Sequence, residues 1–239
     1  VTRYSNYGFS LAGHIVERVT KQPFATYVEA RVLAPLGATS SYIGPRLPDA
    51  RDVLGFFYRD RITAEPRVFE HTVPAGGAHS TVADLARVVG AIAGDGSFAG
   101  ARVLSPESAR TIRSPQFAPA ASLPGWGFGL YARGGWPDEA WLAGGEVPGF
   151  STRALILPGR RLAVIVAVNR KDPTLALGLF DAVMTRLPRG SEGQPGAKPE
   201  PPAGPAPSGL AAALAGRYRV TLGDPSSFLQ FASLFAPAM

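Results

Sequence analysis

The chain of 239 residues has no cysteine, which excludes disulfides, thiolate catalysis and cysteine-held metal sites, and fits any redox compartment. Its three histidines, His14, His71 and His79, stand too far apart for a short metal motif. Lysine is scarce: Lys21, Lys171 and Lys198 are the only three, and the other 21 basic residues are arginine. These arginines are scattered singly, apart from Arg160-Arg161 and Arg170-Lys171. A nucleic-acid binder would gather them on one face with stacking aromatics, so the net charge of +6 does not point to nucleic acid. No apolar run reaches the roughly 18–20 residues that cross a bilayer. G-x-S-x-G, H-E-x-x-H and G-x-x-x-x-G-K-[ST] are all missing, which removes the nucleophile elbow, the helical zinc motif and the phosphate loop. There is no initiator Met and no signal peptide, and an upstream segment is expected.

What is present is a globular composition, 46% hydrophobic and 18% charged. Residues 4–20 carry Phe9, Ala12, Ile15, Val16 and Val19 at helical spacing, which predicts an amphipathic helix. A second helix is predicted after Pro23, with Phe24, Tyr27, Val28 and Val32 inward and its end at Pro35-Leu36-Gly37. Residues 38–79 read as irregular. Thr81 and Asp84 have capping-box spacing ahead of a buried stripe of Val82, Leu85, Val88, Val89 and Ile92. Ser105-Pro106 opens another short helix. Strands take over near Gly125. GWGFGLYAR alternates, and FSTRALILPGRRLAVIVAVN reads as two antiparallel strands around a Pro158-Gly159 turn. Leu162–Val168 is apolar throughout, which predicts cover on both faces. Asp172-Pro173 caps a closing helix with Ala176, Leu179, Phe180, Val183, Met184 and Leu187 inward.

Three units follow: an α+β body over 1–187, a Pro/Gly-rich linker over 188–209, and a stub of a second module or tail over 210–239. Local glycines have local explanations. Gly125, Gly127 and Gly129 suit a strand crowded by a neighbour, and Gly94-Asp95-Gly96 a turn that ends a helix. Ser80 beside His79 reads as a helix cap rather than a nucleophile and its base, and His14 as a surface residue.

YSNYGFSLAGHIVERVTKQPFATYVEARVLAPLGATSS resembles the second active-site motif region of the serine beta-lactamase-related hydrolases, where a Tyr-x-Asn triplet precedes such a helix. This family includes class C beta-lactamases, D-alanyl-D-alanine carboxypeptidases, D-aminopeptidases and related esterases. AGGAHSTVADLARVVGAIAGDGSFAGARVLS resembles the family's Gly-Gly-x-x-Ser-Thr helix region, and GGEVPGFSTRALILPGRRLAVIVAVNR its third-motif strand and following hairpin. The resemblance runs in order over about residues 1–187. It implies a beta-lactamase/transpeptidase-like α+β fold, an antiparallel sheet flanked by helices with a helical region, here without its N-terminal part. It also implies a role for Tyr4 as the phenol that relays the nucleophile's proton and for Asn6 as the amide that holds the substrate. A phenol with an ordinary pKa near ~10 becomes useful at neutral pH only beside a cation or as a proton shuttle.

Two departures bear on activity. Ser-x-x-Lys is the family's nucleophile motif, yet the positions three before the lysines hold Arg18, Val168 and Pro195. Alignment on Pro148-Gly149-Phe150 places Ala143 where relatives carry His, Lys or Trp. Gly145 would still let substrate lie close to the strand, and the Glu146 N–H would serve as an oxyanion donor. The resemblance thus implies part of a serine hydrolase that transfers an acyl group from an amide, ester or beta-lactam, with this chain alone inactive. The alternative is a non-catalytic relative, a pseudo-enzyme or peptidoglycan-binding module. The implied partner is a small-molecule or peptide acyl substrate, with no metal, no organic cofactor and no nucleic acid. A periplasmic or secreted parent is expected by resemblance, with either a small β-domain opening at 210–222 or a membrane anchor beyond Met239.

Overall fold

A computed structural model describes residues 4–46, 52–57, 63–64, 72–118, 124–133, 139–170 and 172–187. The expected linker at 188–209 and the module at 210–239 lie outside the described residues. Helix α1 spans Asn6–Thr20; Ser5 caps it, its hydroxyl accepting from the Gly8 N–H at 3.2 Å, and Lys21 ends it in a left-handed conformation. Tyr4 therefore precedes the helix instead of opening it. Helix α2 covers Phe24–Val28 and runs on as one π-type turn over Glu29–Leu33, where the Ala34 N–H reaches the Glu29 carbonyl at 2.8 Å. Strand β1 (Tyr42–Ile43) pairs with β2 (Ala78–His79), and the single-turn helix α3 (Val73–Gly76) lies between them in sequence.

Helix α4 spans Val82–Ala93, followed by the small hairpin β3 (Ser97–Phe98) and β4 (Ala101–Arg102), and by α5 over Pro106–Ile112. The main sheet has four antiparallel strands in the order β5 (Tyr131–Ala132), β6 (Trp141–Val147), β7 (Phe150–Leu157) and β8 (Leu162–Val168). Helix α6, Pro173–Met184, is capped by Asp172, whose carboxylate accepts from the Leu175 N–H at 3.0 Å. Successive strand residues face opposite sides, so the sheet sorts its apolar set into two cores. Leu155, Leu157, Val164, Phe180 and Met184 gather on the α6 side. Val89, Ala93, Leu130, Trp141 and Ile156 gather on the α4 side. Full burial of a side chain such as Phe180 contributes about 2–3 kcal/mol. The result is helices on both faces of an antiparallel sheet, the α+β arrangement expected from the sequence.

Several local expectations change. The apolar stripe of α1 is largely uncovered, with Phe9 39%, Ile15 54% and Val19 76% exposed. Gly13 is the one buried residue of this helix, packed on Pro74 and Phe24. Helical period decides which residues share a face, but a face is buried only if another element arrives to cover it. For the same reason Leu179 and Val183 of α6 and Val82 of α4 stay exposed. The segment at 125–133 forms only the two-residue β5 and isolated bridges at Trp126. Its glycines are crowded as predicted, since a Cβ on Gly125 would stand 2.6 Å from the Phe117 carbonyl oxygen. Strand β8 touches α4 and α6 on its two faces, yet only Val164 among its residues is buried.

The capping expectations also resolve unevenly. Thr81, not Ser80, caps α4, accepting from the Asp84 N–H at 3.1 Å. The Ser80 hydroxyl instead lies 2.8 Å from that of Ser41. Asp84 does not return to the cap: its carboxylate accepts from the Ser40 N–H at 2.7 Å and the Ser41 hydroxyl at 2.9 Å.

Candidate active site

Tyr4 and Asn6 stand at the start of α1, and both are exposed, Tyr4 by 63%. The Tyr4 ring rests 5.8 Å from that of Phe9 in a tilted arrangement. Phe9 in turn reaches Gly129, its ring carbon Cε1 3.8 Å from where a Cβ would be. This sets the start of α1 against the chain that enters β5. Tyr131 of β5 feels the neighbourhood: burial raises its phenol pKa above 10, and Tyr4 adds to the shift. Tyr131 pairs with Leu142 of β6, three residues before Gly145. The two halves of the candidate site thus meet through Phe9, Gly129 and Tyr131. No hydrogen bond joins the Tyr4 or Asn6 side chain to Gly145 or Glu146 among the described residues. Asn6 accepts through its backbone carbonyl from the Ser10 hydroxyl at 3.0 Å, which is helix chemistry and leaves its side-chain amide uncommitted among the described residues.

Strand β6 presents two different glycine faces. Residues 142, 144 and 146 share the α6 side, and 141, 143 and 145 the α4 side. A Cβ on Gly144 would meet the Thr152 carbonyl oxygen at 3.0 Å and Arg153 Cδ at 3.1 Å. A Cβ on Gly145 would meet no atom of the described residues within 4 Å. Strand β5 pairs only with Trp141 and Leu142, so the stretch from Ala143 onward has no β5 partner on that edge. Among the described residues, Gly145 therefore sits on an open face of a strand with an open edge. Ala143 packs partly buried against the Trp141 core.

Glu146 turns its carboxylate to the α6 side, where it pairs with the Arg153 guanidinium. Arg153 lies directly opposite Gly144 and also donates to the Thr152 carbonyl at 2.9 Å. Sequence reasoning missed Arg153, although the signal was present: once Pro148-Gly149 is taken as a two-residue turn, each β6–β7 pair follows by counting. It also missed Tyr131, and the segment 52–57 that abuts this turn. Neither has a local sequence signal.

Two clefts are found elsewhere. One of about 500 Å³ involves Ser10, His14, Glu17 and Phe24. Another of about 680 Å³ involves Asp95, Phe98, Arg113 and Arg161. Neither is lined by Tyr4, Asn6, Gly145 or Glu146. His14 is exposed and 3.6 Å from Glu17, as a surface residue should be. Among the described residues no group of three or more His, Asp or Glu is placed to hold a metal ion, and no helix is long and apolar enough to cross a membrane.

The class C beta-lactamase of Rhodobacter sphaeroides shares this architecture, with a TM-score of 0.62 and 21% identity over 77% of this chain and 60% of its own. The D-amino acid amidase of Ochrobactrum anthropi SV3 gives a TM-score of 0.61 and 22% identity over 78% of this chain and 58% of its own. At such identities these structures establish a shared fold. A human beta-lactamase-like protein is 28% identical over 214 residues, covering 84% of this chain and 41% of its own length. The chain thus spans about two-fifths of that curated relative. The family model described as Beta-lactamase matches residues 1–183, a stretch that takes in α1, α4 and the β6–β8 sheet together. On that match, this chain belongs to the beta-lactamase family.

Proposed function

We propose that this chain carries part of the acyl-transfer site of a serine hydrolase acting on an amide, an ester or a beta-lactam. The observation that carries the reading is the open face at Gly145, on a strand whose outer edge, among the described residues, is unpaired from Ala143 onward. An acyl substrate laid along that edge would meet no side chain at 145 and would present its carbonyl oxygen to the Glu146 N–H. Tyr4 would pass the nucleophile's proton to the leaving group, and Asn6 would hold an amide of the substrate. The attacking serine and its lysine would come from sequence outside these 239 residues, which contain no Ser-x-x-Lys. The substrate class is a small-molecule or peptide acyl substrate, and the reading calls for no cofactor. A periplasmic or secreted setting, with or without a membrane anchor, belongs to the same proposal.

The test uses the full-length protein with an activated ester and a beta-lactam, and reads the mass gained on acylation. The expected result is one acyl group per molecule, formed roughly 10²–10⁴-fold more slowly in Tyr4→Phe. Absence of acyl uptake from either reagent overturns the reading. One observation favours a second reading, that of a non-catalytic relative: Ala143 is absorbed into the core and offers no polar group to a substrate. An upstream reading frame without Ser-x-x-Lys would decide for it.

A further inference from the structure

We infer that Arg153 is a positioning residue for the Glu146 N–H, acting as a strap across the Gly144-Gly145 pair. The inference rests on the acyl-transfer reading above for its functional consequence, and on the geometry alone for the strap itself.

Two adjacent glycines are the most conformationally permissive pair a strand can contain, since neither has a Cβ to restrict φ and ψ. A donor that follows them directly would wander unless something else fixed the backbone. Catalytic donors act only when held in place before the reaction, because misplacement by about 1 Å costs roughly 100-fold. Arg153 supplies the restraint. It lies opposite Gly144 in the β6–β7 register, and its stem occupies the space a Gly144 side chain would fill, with Cδ 3.1 Å and Nη1 3.2 Å from that ideal Cβ position. Nη1 donates to the Thr152 carbonyl at 2.9 Å, which orients the guanidinium. Nη2 then holds the Glu146 carboxylate. The strap therefore begins on β7, crosses Gly144 and closes on Glu146.

The pair is well sheltered, the Arg153 and Glu146 side chains being 20% and 29% exposed. It lies on the α6 face, so it restrains the strand from behind and leaves the open face at Gly145 clear. A side chain at 144 would crowd both the Thr152 carbonyl oxygen and the strap, whereas at Gly145 it would meet no atom of the described residues. Lysine could pair with Glu146 as a point charge, but it lacks the planar fork that bonds Thr152 and Glu146 together.

The experiment compares Arg153→Ala, Arg153→Lys and the charge-swapped pair Glu146→Arg with Arg153→Glu against the unaltered full-length protein. Amide hydrogen exchange at Gly145 and Val147, which pair with Thr152 and Phe150 across the two-residue turn, is read beside the acylation rate and KM. In Arg153→Ala, exchange at these two amides is expected to quicken by tenfold or more while the Leu155 and Ile156 amides hold their rates. The acylation rate is expected to fall roughly 10- to 100-fold with KM within about threefold. Arg153→Lys and the swapped pair should each recover part of both losses. Unchanged exchange in Arg153→Ala overturns the strap, whatever the activity. Quickened exchange with an unchanged acylation rate overturns the positioning role. If the unaltered protein takes up no acyl group, the functional reading fails separately, and slowed exchange dependent on Arg153 still supports the strap.

Discussion

The backbones of Gly55 and Gly149 touch. A Cβ on Gly55 would stand 2.7 Å from the Gly149 Cα, 2.8 Å from its carbonyl oxygen and 2.8 Å from a ring carbon of Phe150. Gly149 is part of the turn between β6 and β7, so this contact clamps the segment 52–57 onto the end of the candidate site's strand. Two further bonds hold the clamp: the Phe56 N–H donates to the Asn169 carbonyl, and the Asn169 side-chain amide donates to the Leu54 carbonyl, both at 3.0 Å.

Gly55→Ala is therefore expected to destabilise the protein by about 1–3 kcal/mol, because two of the three colliding atoms are Gly149 backbone and cannot swing aside. Gly145→Ala meets open space and should change stability by no more than about 0.5 kcal/mol, yet slow acyl uptake if substrate uses that space. Chemical denaturation of both variants checks the contrast. Equal midpoints would show that the Gly55–Gly149 contact yields easily.

Asp84 ties the first turn of α4 to the chain at Ser40 and Ser41, with both donors on one carboxylate oxygen. Removing it by Asp84→Ala leaves the Ser40 N–H without its acceptor in a partly buried place and should cost about 1–3 kcal/mol. Ser41→Ala loses only the second bond and should cost less, near about 0.5–1.5 kcal/mol. Urea midpoints rank the two variants, and the reverse order would refute this account.

Asp95 carries the clearest pH signature. Its carboxyl is held at a pKa of about 2, first by the Ser97 hydroxyl at 2.5 Å and then by the Arg102 guanidinium at 2.7 Å. A carboxyl whose folded pKa lies below its unfolded value of 3.8 stabilises the fold fully above 3.8 and loses that contribution as pH falls toward about 2. Arg102→Gln is expected to raise the Asp95 pKa without restoring 3.8, since Ser97 remains. A carboxyl-carbon NMR titration of Asp95 reads this directly, and an unmoved pKa would rule out the Arg102 contribution.

Much of the fold was legible from local chemistry. Ser105-Pro106 and Asp172-Pro173 mark helix starts, and Pro158-Gly159 forces the chain to reverse between β7 and β8. Such signals are readable because cause and effect lie within a few residues of each other. Of the candidate site, the glycines of β6 and the Tyr4–Asn6 triplet were legible as a pattern, through resemblance more than through physics. What tertiary structure alone decided is which of these groups has a neighbour. Gly144 and Gly145 look alike in sequence, but one is filled by Arg153 and the other is open. Phe9 and Phe180 are both apolar residues on predicted buried stripes, but one is 39% exposed and the other 1%. Burial and close approach depend on elements that meet across long stretches of chain, and periodicity within one element cannot say whether that meeting occurs.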